Sequence, residues 1–379
     1  MRISNRSNNL FLKISRIHWA LVFFICCAGF LGFVTLYSAA GGDFYPWSVP
    51  QAIRFSVGFC IMITFALVDI NFWFRNAYAI YLVLFLVLLS VELFGISGMG
   101  AKRWVDFGFI RIQPSEMMKF GLLLALARYF HGLSLDEVKR TLFLIVPIVL
   151  LTMPVLAILL QPDLGTGVIL LLIGISIFFI SGIQVWKFVL VFFASIASAP
   201  YVWNFLHAYQ QERIIAFFNP DKDPLGSGYQ IAQSKIAMGS GGLSGKGFLE
   251  GTQSHLHFLP ETQTDFAFTM IAEEFGFIGG MILLAIYLII LVCSFSIAIK
   301  SASHFGRIIA MGVCITFFLY FFVNIAMVTG ILPIVGVPLP FVSYGGSSLI
   351  TLMACFGIVM SAHIHRDADI ISYGRILRR

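Results

Sequence analysis

Charged residues are scarce in this chain. Asp, Glu, Lys and Arg make up 11% of its 379 residues, whereas hydrophobic residues make up 59% and the mean hydropathy is +0.94. Soluble domains carry about 25% charged residues, so this composition excludes an ordinary soluble protein. The net charge of +6 is not a nucleic-acid signal, because the orientation of a membrane protein explains it better.

The chain also lacks features that would indicate other classes. Its six cysteines fall in apolar runs without metal-ligand spacing, and disulfides are not expected at bilayer depth. The first apolar run has no small-residue cleavage site and is long enough to span a membrane, so no cleavable signal peptide is predicted. Without repeats or low-complexity segments, residues 1–379 are predicted to form one polytopic membrane domain.

What the chain has in abundance is apolar runs close to the roughly 20 residues that cross a bilayer. We predict ten spans, at 18–37, 52–68, 77–94, 114–130, 141–160, 164–182, 188–206, 266–299, 308–329 and 347–363. The eighth is too long for one straight crossing, and Gly276, Gly279 and Gly280 predict a kink near its start. The predicted fold class is an all-α integral membrane protein with ten transmembrane helices and one large extracytoplasmic loop, 207–264, between helices 7 and 8.

Ten spans place both termini on one side of the membrane. Most Lys and Arg residues fall on that side, including those near the chain ends: Arg2, Arg6, Lys13, Arg16, Arg375, Arg378 and Arg379. By the positive-inside rule this side is the cytoplasm. Most other basic residues cluster at 102–119 and in the 207–264 loop, near many of the acids, which predicts an outer site for a polar, anionic group.

Two charged residues lie just inside the fourth predicted span. After the helix-start signal Gln113-Pro114-Ser115, Glu116 and Lys119 share one helix face. Charges within a span usually mark a functional site, although a structural ion pair is the alternative. The segment Lys102-Arg103-Trp104 precedes them, and Trp104 alone is more simply explained as an interfacial anchor.

Further polar candidates lie between the later spans. Asp163, in the turn Gln161-Pro162-Asp163-Leu164-Gly165-Thr166, is equally well explained as a site residue or as a helix cap. In the long loop, Arg213 precedes a glycine-rich segment, 239–247, in which backbone N–H groups and Lys246 could hold an anion. This segment is not a Walker A loop, because Gly247 follows Lys246. A flexible, turn-rich loop is the alternative.

Glu261 and Asp265 lie four residues apart at the outer end of the eighth span. Partial burial should raise the pKa of Asp265 and a nearby cation should lower it. A carboxylate so placed can act as a general base, whereas a helix N-cap without chemistry is the alternative. Further along, 330–348 contains three prolines and a Gly-Gly pair, and such irregular backbone at membrane depth requires contact with protein or a cavity.

Together these segments resemble the SEDS family (shape, elongation, division and sporulation proteins). The resemblance covers nearly the whole chain. It is carried by four motifs in order: Lys102-Arg103-Trp104 with Gln113-Pro114-Ser115-Glu116, Gln161 to Thr166, Phe258-Leu259-Pro260-Glu261 with Thr264-Asp265-Phe266, and Pro338 to Ser348. The segment 330–338 is more similar to the elongation branch (RodA) than to the division branch (FtsW).

The resemblance implies a ten-helix glycosyltransferase in the bacterial cytoplasmic membrane. It would polymerise lipid II into glycan strands at the outer face, for cell elongation and rod shape, beside a class B penicillin-binding protein as partner. By the motif match, Asp265 corresponds to the family's essential carboxylate, and Trp104 and Glu116 fall on positions important for activity.

For such a reaction, Asp265 is expected to be the catalytic base, and the other polar residues are expected to bind the substrate. We expect Lys119, Arg103, Arg213 and Lys246 to stabilise the diphosphate that leaves, with Lys102 and Glu261 beside them. A divalent cation (Mg or Mn) could share this role with Glu116 or Asp163 as ligand, but its place is not derivable from sequence. No organic cofactor and no nucleic-acid partner are expected. The alternatives are a lipid II flippase and a non-catalytic scaffold for the penicillin-binding protein.

Overall fold

The computed structural model describes residues 10–98, 101–106, 108, 111–219, 226–255, 261–368 and 370. Several predicted features fall outside these ranges. They are the basic residues at the extreme ends of the chain, the 220–225 and 256–260 parts of the predicted loop, and with the latter Phe258-Leu259-Pro260 of the third motif.

The described part of the chain is mainly helical. Its α-helices are α1 (Leu10–Ser15), α2 (Trp19–Ala39), α3 (Ser48–Leu67), α4 (Ile70–Phe94), α5 (Pro114–His131), α6 (Leu135–Lys139), α7 (Ile145–Leu160), α8 (Leu164–Ile180), α9 (Val185–Trp203), α10 (Ala208–Phe218), α11 (Ser227–Ser240), α12 (Thr252–His255), α13 (Ala267–Glu274), α14 (Gly276–Lys300), α15 (His304–Val328) and α16 (Gly346–Ile364). A 3₁₀ turn, Thr141–Leu144, leads into α7.

Within the described residues, eight helices are long and apolar enough to cross a membrane. They are α2, α3, α4, the 3₁₀ turn with α7, α9, α14, α15 and α16. The two other predicted spans also coincide with helices but are weaker candidates. One is α8, with 17 residues, and the other is α5, which contains Glu116, Lys119 and Arg128. The chain is therefore a multi-pass membrane protein.

The expectation of an all-α chain is wrong between α4 and α5. Three short strands form a small antiparallel sheet there, β1 (Ile96–Gly98), β2 (Ala101–Asp106) and β3 (Arg111–Ile112). In the register, Trp104 is opposite Ile96 and Val105 is opposite Ile112. Strands of two to six residues are too short to produce a clear alternation in the sequence, and their pairing depends on neighbouring segments.

The predicted kink in the long eighth run is confirmed. The run divides into α13 and α14, which meet at Phe275. Gly276 has φ +66°, and a Cβ on it would lie 2.3 Å from the backbone N of Gly245. Only glycine tolerates both conditions, so the break is encoded locally.

The centre of the bundle is formed by α15 and α16. α16 is almost entirely buried. Near its start, Oγ of Ser347 accepts a hydrogen bond from the backbone N of Gln113. Near its end, the ring of His363 lies 5.2 Å from the ring of His18. Near its start, the backbone N of Tyr344 donates to O of Gln263 at 2.8 Å. We call the two ends of the bundle the Asp265 end and the His18 end.

The Pro-rich segment, residues 331–345, packs against protein as its sequence requires. The Tyr287 hydroxyl donates to O of Pro340 at 2.6 Å, and the Phe341 ring lies within 6 Å of the rings of Phe317 and Phe356. Ile334, Val337 and Leu339 are buried. An irregular segment can therefore lie deep in the bundle because surrounding helices cover it.

The described part of the predicted 207–264 loop is folded into α10, α11 and α12. Ser234 of α11 donates to O of Val328 at 2.9 Å and lies 2.8 Å from Oγ1 of Thr269. The region therefore packs onto α13 and α15.

Candidate active site

Asp265 lies in a turn that leads into α13. Its backbone N donates to O of Glu261 at 3.2 Å. Phe266 is the N-cap residue of α13, and no side chain caps that helix. The alternative of Asp265 as a helix cap is therefore wrong, and its carboxylate does not cap α13.

Three charged side chains set the electrostatics of Asp265. The pKa of Asp265 is raised to about 6, chiefly by burial and then by the negative charge of Glu261, while Arg213 and Arg103 act in the opposite direction. A carboxylate of this pKa is mostly ionised at neutral pH and accepts a proton more readily than an ordinary aspartate. The structure thus brings together four of the predicted site residues from three distant segments.

The two arginines are held by backbone carbonyls. Nη1 of Arg213 donates to O of Ile334 at 3.2 Å, and Nη2 of Arg103 donates to O of Pro162 at 3.5 Å. Arg103 also lies 3.9 Å from Oδ1 of Asp163, and its side chain is 28% exposed. Both guanidinium groups have only weak partners and retain donors for an anion.

Asp163 is the N-cap of α8, as its alternative explanation predicted. Oδ1 accepts from the backbone N of Thr166 at 3.3 Å, and Oδ2 accepts from Nε2 of Gln113 at 3.1 Å. The residue thereby connects the starts of α5 and α8 beside Arg103.

Glu116 and Lys119 form a closed, buried triad with Tyr320 of α15. Nζ of Lys119 lies 2.5 Å from Oε1 of Glu116. The hydroxyl of Tyr320 in α15 donates a hydrogen bond to Oε2 of Glu116 and accepts one from Nζ of Lys119. The side chain of Lys119 is 2% exposed. The geometry is that of the structural ion pair, so Lys119 is not placed to contact a diphosphate from this position.

Lys246 is also paired with a buried carboxylate, that of Glu273. Its Nζ lies 2.8 Å from Oε1 of the buried Glu273 and donates to Thr252. The backbone N groups of Lys246 and Gly247 donate to carbonyls of α13. The predicted anion cradle is therefore wrong, because these N–H groups are used within the protein.

The glycines of the 239–247 segment instead allow close backbone packing. A Cβ on Gly241 would lie 2.0 Å from O of Ala272, and one on Gly245 would lie 2.0 Å from O of Glu274. The segment is held tightly against α13, contrary to the alternative of a loop with loose turns.

Comparison with known proteins identifies the family. A family model described as a cell cycle protein (FtsW, RodA, SpoVE) matches residues 18–368. The peptidoglycan glycosyltransferase MrdB of Escherichia coli (strain K12) is 46% identical over 316 residues, which cover 83% of this chain and 84% of the relative. The chain belongs to the SEDS family.

Solved structures agree with this assignment of the SEDS protein. A chain from a structure titled "Structural coordination of polymerization and crosslinking by a peptidoglycan synthase complex" matches with TM-score 0.80 and 33% identity, covering 93% of this chain and 99% of that one. The rod shape determining protein RodA of Thermus thermophilus matches with TM-score 0.71 and 29% identity, covering 93% and 98%. The bundle described above is thus the fold of this family.

Two predicted residues of this SEDS protein lie on the small sheet. Lys102 and Trp104 both belong to β2, and Lys102 is exposed while Trp104 is partly buried. Within the described ranges, neither side chain makes a hydrogen bond, and their roles remain predictions.

The described residues form no ready-made site for a metal ion. Among the described residues, no group of three His, Cys, Asp or Glu side chains could hold one. Of the two predicted ligands, Glu116 is neutralised by Lys119, and Asp163 accepts from Thr166 and Gln113.

Sequence reasoning missed several polar residues of this end of the bundle. Tyr320 and Asn324 lie one turn apart on α15, and Arg54 of α3 stacks over the ring of Tyr344 at 4.3 Å. Polar side chains inside apolar helices are a usable signal, but their partners lie far away in sequence.

Proposed function

We propose that this SEDS protein is a peptidoglycan glycosyltransferase that polymerises lipid II for cell elongation. The observation that carries the proposal is the Asp265 carboxylate, on which the charges of Arg103 and Arg213 act, in a chain of this family. The segment 334–336 accepts from Arg213 at Ile334 and approaches Oδ2 of Asp265 at Gly336. Curated relatives at 46% and 37% identity bear the name peptidoglycan glycosyltransferase.

In the proposed reaction, the donor is a glycan on undecaprenyl diphosphate and the acceptor is the 4-hydroxyl of a lipid II sugar. Asp265 takes the hydroxyl proton while the oxygen attacks the anomeric carbon of the donor, and the diphosphate leaves. General-base assistance of this kind contributes about 10²–10⁴ in rate. A pKa of about 6 for Asp265 suits the task, because the group is ionised at neutral pH and still basic.

Negative charge grows on the diphosphate as it leaves. Arg103 and Arg213 are the cations that we assign to it, because they are close enough to Asp265 to affect its pKa. Arg213 donates to a neutral carbonyl oxygen, and Arg103 donates to another and lies 3.9 Å from Oδ1 of Asp163. A phosphate oxygen would outcompete these weak partners. Lys119 and Lys246 are already paired with carboxylates and are left out of this role.

The orientation in the membrane and the partner protein are also part of this proposal. Ten spans with both termini in the cytoplasm would place the Asp265 end at the outer face of the bacterial cytoplasmic membrane, where lipid II is consumed. A class B penicillin-binding protein is the proposed partner, supported by the similarity to a chain of a peptidoglycan synthase complex. A divalent cation remains an untested prediction, and no step here depends on it.

The proposal is tested with purified protein and labelled lipid II, with and without the partner. Polymer that depends on Asp265 is the expected result. Translocation without polymer would indicate a flippase, and neither activity would indicate a scaffold, so each of these outcomes contradicts the proposal.

A further inference from the structure

Asn324 is fully buried in α15 and connects two parts of the site. Its Nδ2 donates to O of Asp265 at 2.9 Å and to O of Val337 at 2.7 Å. Both amide hydrogens are therefore used, whereas Oδ1 has no partner among the described residues. The reversed amide would point Oδ1 at two carbonyl oxygens, so the hydrogen-bonding pattern favours this orientation.

The segment 334–337, to which Asn324 is hydrogen-bonded at Val337, contacts three parts of the site. O of Ile334 accepts from Arg213. A Cβ built on Gly165 of α8 would lie 2.7 Å from O of Val335, and a Cβ built on Gly336 would lie 3.5 Å from Oδ2 of Asp265. Residues 334–337 therefore lie against Arg213, the start of α8 and the carboxylate of Asp265.

Asn324 has opposing effects on the stability of the fold. An apolar side chain at 324 would avoid burying an unpaired Oδ1, which costs free energy. The two carbonyls, however, would then lose their donor. The amide of Asn324 joins the Asp265 turn to Val337 of the Pro-rich segment through α15.

We propose that Asn324 is a positioning residue for the reaction. By joining the backbone of Asp265 to that of Val337, it fixes the carboxylate relative to Gly336 and to Arg213, and it does so without touching the substrate. The inference rests on the glycosyltransferase function proposed above. A general base displaced by about 1 Å can lose about 10²-fold in rate, which sets the size of the expected effect.

The test is Asn324→Leu, which keeps the branching and the number of side-chain heavy atoms and removes both donors. We expect kcat for lipid II polymerisation to fall about 100-fold, with little change in KM because substrate contacts remain. A second readout is hydrogen–deuterium exchange, which should become faster at 264–268 and at 337–341. Asn324→Ser, which keeps one donor, should show a smaller loss of kcat.

Ser361→Ala is the matched control. Ser361 is also fully buried and donates to a backbone carbonyl, that of Val68 at 2.6 Å, but at the His18 end. Its loss should lower thermal stability without lowering kcat or changing exchange near Asp265.

Wild-type kcat and unchanged exchange in folded Asn324→Leu would overturn the proposal, as would an equal loss of kcat in Ser361→Ala. If the Leu variant does not purify as a folded protein, the same comparison in Asn324→Ser decides. If the wild-type protein makes no polymer, the proposed function fails, while the exchange measurements still decide whether Asn324 holds the Asp265 turn.

Discussion

The ammonium of Lys119 lies 2.5 Å from Oε1 of Glu116 inside the helix bundle, with the Tyr320 hydroxyl bonded to both. Both charges are almost fully removed from solvent, so each compensates for the burial of the other. Tyr320 thereby connects the pair in α5 to α15, the helix that also carries Asn324. This differs from Arg103, whose more exposed side chain has only weak partners.

Lys119→Ala should destabilise the protein by about 3–5 kcal/mol, because it leaves the Glu116 charge buried without a partner. Thermal unfolding in detergent measures this loss. The double variant Lys119→Met with Glu116→Leu should recover most of it, since no charge remains buried. An unchanged unfolding temperature with lost polymerisation would instead place Lys119 at the substrate.

Asp265→Asn should abolish polymerisation, with a loss of at least about 10² in rate, while the unfolding temperature rises. The folded-state pKa of about 6 lies above the unfolded value of about 3.9, so ionisation of this carboxyl destabilises the fold. That penalty grows as pH rises from about 4 to about 6 and persists above, and at pH 7 it is on the order of 3 kcal/mol. Retained polymerisation by the folded variant would remove Asp265 from the base role.

The pH profile of kcat/KM should have an acid limb near pH 6, because the base must be ionised. Glu261→Gln removes a negative neighbour and should move this limb to lower pH. Arg103→Gln removes a positive neighbour and should move it to higher pH. Measuring polymerisation between pH 4.5 and pH 8, about two units on each side of the limb, tests both directions. Shifts of the same sign in the two variants would show that the limb does not belong to Asp265.

Gly241→Ala should destabilise the protein by about 1–3 kcal/mol or more, since its Cβ would lie 2.0 Å from O of Ala272. Gly239→Ala, two residues earlier in α11, meets no atom within 4 Å and should be neutral or stabilising by about 0.5–1 kcal/mol. Thermal unfolding of the two variants compares them directly. Equal effects would contradict the close packing of this segment on α13.

The sequence predicted correctly those structural features that depend on neighbouring residues in the chain. The apolar runs predicted the helices, and Gly276 predicted the division between α13 and α14. It failed at 96–112, where short strands depend on one another for pairing, and at 239–247, where glycines that suggested an anion site instead permit contact with α13.

By itself the sequence determined that this is a multi-pass helical membrane protein with a carboxylate at Asp265 and a group of cations at the same end. Only the tertiary structure decided which cations remain available to an anion. In the sequence, Lys246 looks equivalent to Arg103 and Arg213, but Glu273 pairs with it from a distant segment. Lys119 has a local partner in Glu116, and Tyr320 completes that pair from α15. Pairing between distant segments depends on distances of a few ångströms that form only when the helices pack, and no local pattern records them.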